Sequence, residues 1–224
     1  MVLIAPSLLA ADFARLGEAL ALFKEVGASL IHVDVMDGHF VPDISVGQPV
    51  VKSLRKATEL ALDVHLLIER PERYVAEFVE AGVDRVAVHA EATPNLHRVL
   101  SRIRSGGAQA GLALNPSTAV ESIADSLEGL DYLLILSADP GFADSPFLPR
   151  TLTKVKAACA LRSEMRLGFA IQVEGSISEE HIEALGSAGA DILVAGSDIF
   201  QKDPKSRLVE SMRLAASARQ ASRV

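Results

Sequence analysis

The chain has 224 residues, 49% of them hydrophobic and 23% charged, which excludes both a disordered polymer and a bundle of membrane spans. Its net charge of −7 lacks the basic footprint that nucleic acid or an anionic membrane would need. Aromatics at 4%, with no Trp, leave little for stacking platforms. The length sits near the upper end of a single domain, so one domain spanning 1–224 is expected.

The apolar stretch from Met1 to Asp12 has no basic residue ahead of it and is interrupted by Pro6, which argues against a signal peptide. No apolar run approaches the length of a membrane span. The one cysteine, Cys159, lies in a helical context and reads as a small apolar residue. It can form no internal disulfide, and a reducing, cytoplasmic setting is expected. Val2 to Ala5 forms the first short β run, followed by a helical segment over Asp12 to Val26 with Phe13, Leu16, Leu20 and Phe23 at helical spacing. Further strand candidates cover Ile31 to Val35, Leu60 to Leu67, Val83 to His89 and Ala110 to Leu114. Three more cover Tyr132 to Leu136, Leu167 to Val173 and Ile192 to Ala195. A helical segment follows each strand. Gly27, Gly82 and Gly189 punctuate three helix-to-strand turns, as helix C-caps.

Eight such units average 28 residues each, and strands alternating with helices imply parallel pairing closed into a (β/α)8 barrel. The rival doubly wound sheet would carry a Gly-x-Gly-x-x-Gly turn after its first strand, and none occurs. Chemistry in such barrels collects at the carboxyl ends of the strands. His32 and Asp34, two residues apart on one strand, point to the same face, and His65 and Glu174 stand on other strands whose ends converge there. Two imidazoles and two carboxylates suit Zn²⁺, Mn²⁺, Fe²⁺ or Co²⁺ without choosing among them. Gly175-Ser176 and Gly196-Ser197, after strands seven and eight, form a seat for phosphate. The stretch from Ala138 to Arg150 is a lid candidate. All seven lysines lie in helical segments or the last loop, which argues against a Schiff-base aldolase, and His39, His97 and His181 read as surface residues.

Six segments carry a resemblance. They are Ile4-Ala-Pro-Ser-Leu-Leu-Ala-Ala-Asp-Phe13, Ile31-His-Val-Asp-Val-Met-Asp-Gly-His-Phe-Val-Pro42, Leu62-Asp-Val-His-Leu66, Ala113-Leu-Asn-Pro116, Asp139-Pro-Gly-Phe142 and Val194-Ala-Gly-Ser197. In order and from end to end they resemble the ribulose-phosphate 3-epimerase family. That resemblance implies a phosphate-binding barrel of the pentose phosphate pathway that interconverts D-ribulose 5-phosphate and D-xylulose 5-phosphate, and a homo-oligomer. It implies one divalent metal ion held by His32, Asp34, His65 and Glu174, and substrate contacts from Ser7 and His65. It also implies phosphate contacts from Gly141, Phe142, Ala143 and Asp144 together with Gly175, Ser176, Gly196 and Ser197. Asp34 and Glu174 would be the two proton carriers, one on each face of the reacting carbon.

The chain departs from the family pattern at two places. Val173-Glu-Gly-Ser176 replaces Val-Asp-Gly-Gly, adding a methylene to the carboxylate arm. Pro140-Gly-Phe-Ala-Asp-Ser145 replaces Pro-Gly-Phe-Gly-Gly-Gln, which by the resemblance would put the Asp144 carboxylate near the phosphate unless it turns outward. Related allulose-6-phosphate 3-epimerases share Gly-Ser after strand seven. An epimerase of another phosphorylated ketose, or a non-catalytic phosphosugar-binding relative, is therefore a further expectation.

Overall fold

A computed structural model describes residues 2–142, 145–200 and 203–218. Ala143 and Asp144, expected in the phosphate seat, lie outside the described residues. The strands are β1 (Leu3–Pro6), β2 (Leu30–Met36), β3 (Ala61–Leu67), β4 (Arg85–His89), β5 (Gln109–Leu114), β6 (Tyr132–Leu136), β7 (Ala170–Glu174) and β8 (Ile192–Ala195). All pair in parallel, in the order β1-β8-β7-β6-β5-β4-β3-β2. A bridge between Ser7 and His32 joins β1 to β2 and closes the ring. The fold is a (β/α)8 barrel.

Alternation along each strand divides the side chains between two environments. Ile31, Val33, Val35, Val64, Leu66, Val86 and Val88 join the main core between sheet and helices, with Phe23, Val51, Leu54, Phe78, Val99 and Ile103 opposite. The inward positions are unusually polar: His32, Asp34, Asp63, His65, Arg85, His89 and Gln172 are all buried. Their apolar companions form small separate clusters such as Ala87, Ala113, Tyr132 and Leu134. Removing that many ionisable groups from water is costly unless they are paired or ligating, so the barrel interior is where function is to be sought.

The outer helices are α1 (Leu16–Glu25), α2 (Gln48–Ala57), α3 (Val75–Glu80), α4 (Leu96–Ser105), α5 (Thr151–Glu164), α6 (Glu179–Ala188), α7 (Ser197–Phe200) and α8 (Pro204–Ala218). α4 shows why they lie on the barrel: Val99, Leu100 and Ile103 are buried while Arg98, Arg102 and Arg104 face solvent. Gly27, Gly82 and Gly189 do adopt left-handed backbone at the ends of α1, α3 and α6.

Two segments depart from expectation. The segment expected to be helical from Asp12 opens instead as a 3₁₀ turn over Phe13–Arg15, capped by the Asp12 side chain on the Ala14 N–H (2.9 Å), and α1 starts only at Leu16. Phe13 is consequently exposed rather than packed. After β5 the connection is a 3₁₀ stretch, Val120–Ser126, not an α-helix. Its buried residues Val120 and Ile123 are three apart, which suits three residues per turn, and its Ser and Asp residues disfavour an α interior. No helix among the described residues is long and apolar enough to cross a membrane.

Candidate active site

At the carboxyl end of the barrel a cavity of about 270 Å³ opens between the strand ends and the loops that follow them. Ser7, Asp34 and Glu174 contribute to its floor, and Met36, Leu67, Leu136 and Val194 supply apolar walls. Gly141, Phe142, Gly175, Ser176, Gly196 and Ser197 line the rest. Gly175 is required there: its φ is +110°, and a Cβ would come 2.8 Å from the Ala138 nitrogen. No Lys or Arg lines the cavity among the described residues. An anionic ligand in it would meet backbone amides and any bound cation rather than a basic side chain.

Beneath the floor, four ligand atoms gather from three strands. His32 and Asp34 come from β2, His65 from β3 and Glu174 from β7, and one ligand atom of each lies within 4.8 Å of all the others. His32 Nε2 is 3.2 Å from Asp34 Oδ1 and 3.2 Å from Glu174 Oε2. His65 Nδ1 is 3.2 Å and 3.0 Å from the same two oxygens. Ligands bound tetrahedrally at roughly 2.0–2.1 Å would stand about 3.3 Å apart, close to these edges. Glu174 Oε2 is buried with these two imidazoles as its near neighbours, so its charge must be balanced inside the cluster. The extra methylene of Glu174 does not keep its carboxylate from this cluster.

The electrostatics fit the same picture. Burial alone would push both imidazoles toward the neutral form. The Asp34 and Glu174 carboxylates outweigh it, holding His32 well above its ordinary value and His65 up to about 9. Asp34 is held well below the carboxylate range by the two imidazoles, against its burial. In this state protons on the rings balance the two carboxylates. A divalent cation supplies that balance directly, displacing the protons as it binds. The residues therefore fit a metal ion of the kind expected.

Three of these ligands, Asp34, His32 and His65, are oriented from behind. Ser7 Oγ donates to Asp34 Oδ2 (3.0 Å), leaving Oδ1 for the cluster. Asp63 Oδ2 takes the His32 Nδ1 proton (2.8 Å) and a Gln172 amide hydrogen bond (2.7 Å), while Asp63 Oδ1 accepts from the Tyr132 hydroxyl (2.8 Å). Arg85 stands 3.5 Å from Asp63 and 3.9 Å over the Tyr132 ring. Against its burial, Arg85, His32 and Gln172 hold the Asp63 carboxyl far below its usual range. Behind His65 lies His89, with the two Nε2 atoms 2.9 Å apart, and His89 Nδ1 is 3.0 Å from Glu91 Oε2.

The structure thus brings Ser7, Asp34, Glu174, Gly141, Phe142, Gly175, Ser176, Gly196 and Ser197 together around the cavity. His32 and His65 are fully buried and reach it only through Asp34 and Glu174. His39 and His97 are exposed, and His181 is half-buried, stacked on Phe147 at the start of α6. Sequence reasoning gave no role to Asp63, Gln172 and Tyr132, and none to the pair His89 and Glu91, although His89 stands at the end of its strand. A signal for that pair was present, because His89-x-Glu91, running from the end of β4 into the 3₁₀ turn Ala90–Ala92, repeats the spacing of His32-x-Asp34 on β2.

Residues 3–200 match the Ribulose-phosphate 3 epimerase family. Among similar proteins, a ribulose-phosphate 3-epimerase of Bacillus subtilis is 41% identical over 214 residues, covering 95% of this chain and 99% of that one. One of Chlamydia muridarum is 45% identical over 204 residues, covering 90% of each. Solved structures of similar shape include thiamine phosphate pyrophosphorylase from Pyrococcus furiosus (TM-score 0.67, 14% identity, covering 97% and 96%). Phosphoribosyl anthranilate isomerase from Thermus thermophilus is another (TM-score 0.64, 16% identity, covering 99% and 100%). At these identities they speak to the fold alone.

Proposed function

The chain belongs to the ribulose-phosphate 3-epimerase family, isomerases that epimerise a pentose phosphate, and from that premise we propose that it interconverts D-ribulose 5-phosphate and D-xylulose 5-phosphate with one divalent metal ion. The observation that carries the proposal is the meeting of two carboxylates, Asp34 and Glu174, at the floor of one cavity, on strands separated in the ring by β1 and β8. Inverting a carbon next to a ketone requires a base on one face and an acid on the other, and two carboxylates approaching from different strands supply both.

Asp34 Oδ2, turned from the cluster and bonded to Ser7, is the oxygen that takes or returns the C3 proton. Glu174 serves the opposite face with its Oε1, since Oε2 sits among the imidazoles. His32 and His65, with one oxygen from each carboxylate, would hold the metal, which when bound supplies positive charge beside the enediolate oxygens. Met36, Leu67 and Leu136 keep water from the carbanionic face. The turns at Gly175-Ser176 and Gly196-Ser197, with Gly141 and Phe142, receive the phosphate through backbone amides, which suits a cavity with no basic side chain among the described residues.

The test combines turnover with isotope exchange. In D₂O the parent protein is expected to place solvent deuterium at C3, and Asp34→Asn to lose about 10²–10⁴-fold in rate, the contribution of one positioned proton carrier. The double variant His32→Ala, His65→Ala is expected to take up no divalent metal. Near-normal turnover by Asp34→Asn would refute the scheme. Faster turnover of a phosphorylated hexulose than of ribulose 5-phosphate would reassign the substrate.

A further inference from the structure

Behind His65 the hydrogen bonds form a chain that leads from the buried ligand cluster to the protein surface. His65 Nδ1 faces Asp34 and Glu174, and His65 Nε2 faces His89 Nε2 at 2.9 Å. His89 Nδ1 faces Glu91 Oε2 at 3.0 Å. Glu91 Oε1 accepts from the Asn115 backbone N–H (2.9 Å) and from the Thr118 hydroxyl. The rings of His65 and His89 are stacked, with centroids 5.0 Å apart, and both are fully buried, so neither has water as an alternative partner.

Only one assignment of protons satisfies every link. Two imidazole nitrogens 2.9 Å apart share a single proton, and a neutral imidazole has one donor and one acceptor nitrogen. Glu91 is an ionised carboxylate that can only accept. Its three donors hold it down to about 2 in spite of partial burial. His89 must therefore carry its proton on Nδ1 and offer a lone pair at Nε2. His65 must then donate from Nε2, so that when a cation displaces the other ring proton the lone pair of Nδ1 is directed at the cluster. We propose that Glu91 and His89 are positioning residues for the metal: through this chain they fix the tautomer of His65 and present its Nδ1 as a ligand. The inference rests on the metal reading of the cluster given above.

Glutamine at position 91 makes the idea testable because it should reverse the chain rather than merely weaken it. The Asn115 N–H can only donate, so the amide oxygen stays on that side and the amide NH₂ falls opposite His89 Nδ1. His89 Nδ1 would become an acceptor and its Nε2 a donor, which forces the His65 proton onto Nδ1, the ligand atom. Alanine leaves His89 free to adopt either tautomer. A residue that served only packing would give the opposite order, since glutamine preserves volume and alanine does not.

The experiment measures Zn²⁺ affinity of the metal-stripped full chain by competition with a chromophoric chelator. It also reads the imidazole nitrogens of the Zn²⁺-loaded chain by ¹⁵N NMR. Glu91→Gln is expected to bind Zn²⁺ about 10–100-fold more weakly than the parent, and at least as weakly as Glu91→Ala, with both variants retaining the parent's circular dichroism. In the parent, His89 is expected to be protonated at Nδ1 and His65 at Nε2, a readout that needs no variant to fold. Parent-like affinity in Glu91→Gln, weaker binding by Glu91→Ala than by Glu91→Gln, or a parent His89 protonated at Nε2 would overturn the proposal while leaving the metal site standing. A parent that takes up no Zn²⁺ would overturn the metal reading itself.

Discussion

Replacing Asp63 by asparagine perturbs the barrel interior without changing its volume. Asp63 Oδ1 faces the Tyr132 hydroxyl, with Arg85 Nε at 3.5 Å, and Oδ2 faces His32 Nδ1 and the Gln172 amide. The less costly orientation of an asparagine keeps its carbonyl on His32 and Gln172 and turns its NH₂ toward Tyr132 and Arg85. Arg85, itself buried, then has no ion-pair partner among the described residues. Removing one partner of a buried ion pair costs about 3–5 kcal/mol. For a domain of this size, 1 kcal/mol corresponds to roughly 2–4 °C, so Tm should fall by about 6–20 °C. The sign of the pH dependence follows from the depressed carboxyl: its contribution is present above the unfolded carboxylate range near 4 and lost as pH falls below it. The amide of the Asp63→Asn variant does not titrate, and the gap between variant and parent should therefore narrow in acid. Zn²⁺ affinity should also drop about 10–100-fold, because His32 loses the anion that holds its Nδ1 proton. Thermal unfolding followed by circular dichroism at about pH 7 and in mild acid, with chelator competition near neutrality, measures all three. A Tm within about 2 °C of the parent near neutrality would show that Asp63 does not carry this charge balance.

Gly111→Ala should destabilise by about 1–3 kcal/mol or more and weaken metal binding, because its Cβ would fall 2.2 Å from the Tyr132 ring and push the hydroxyl from Asp63. An unchanged urea midpoint would contradict that. Ser7→Ala removes the donor on Asp34 Oδ2 and should lower turnover about tenfold, the effect of one hydrogen bond to a charged group, while leaving Zn²⁺ affinity within about twofold of the parent. Glu91, held down to about 2, contributes stability above its unfolded range near 4.5 that is lost as pH falls toward 2. Glu91→Gln should therefore flatten the acid limb of the stability curve, read from urea midpoints between about pH 5 and pH 3.

Much of the molecule was legible in one dimension. Short apolar runs alternating with helical periods specify eight βα units, and parallel strands joined through helices have few ways to close. Once the barrel was inferred, the position of His32, Asp34, His65 and Glu174 at strand ends followed from the two-residue period of a strand. That is local geometry and needs no knowledge of neighbours. The segments that differed were those where local effects competed. At Asp12 a side-chain cap on Ala14 favoured a tighter turn over an immediate α-helix, and after β5 the Ser- and Asp-containing stretch settled into a 3₁₀ form.

Tertiary structure alone decided what stands behind each ligand. The two-residue period says that Asp63, Arg85, His89 and Gln172 face inward. It does not say which of them meet across the barrel, because that depends on the stagger of one strand against the next and on the closure of the ring. Asp63 lies beside His32 through the β2–β3 register, yet Gln172 reaches it from β7 and Tyr132 from β6. Likewise His89 touches His65 because β3 and β4 are neighbours, and Glu91 is anchored by residues 24 and 27 positions further along the chain. A buried charge is stabilised by what surrounds it in three dimensions, and in a closed barrel those partners come from strands far apart in sequence.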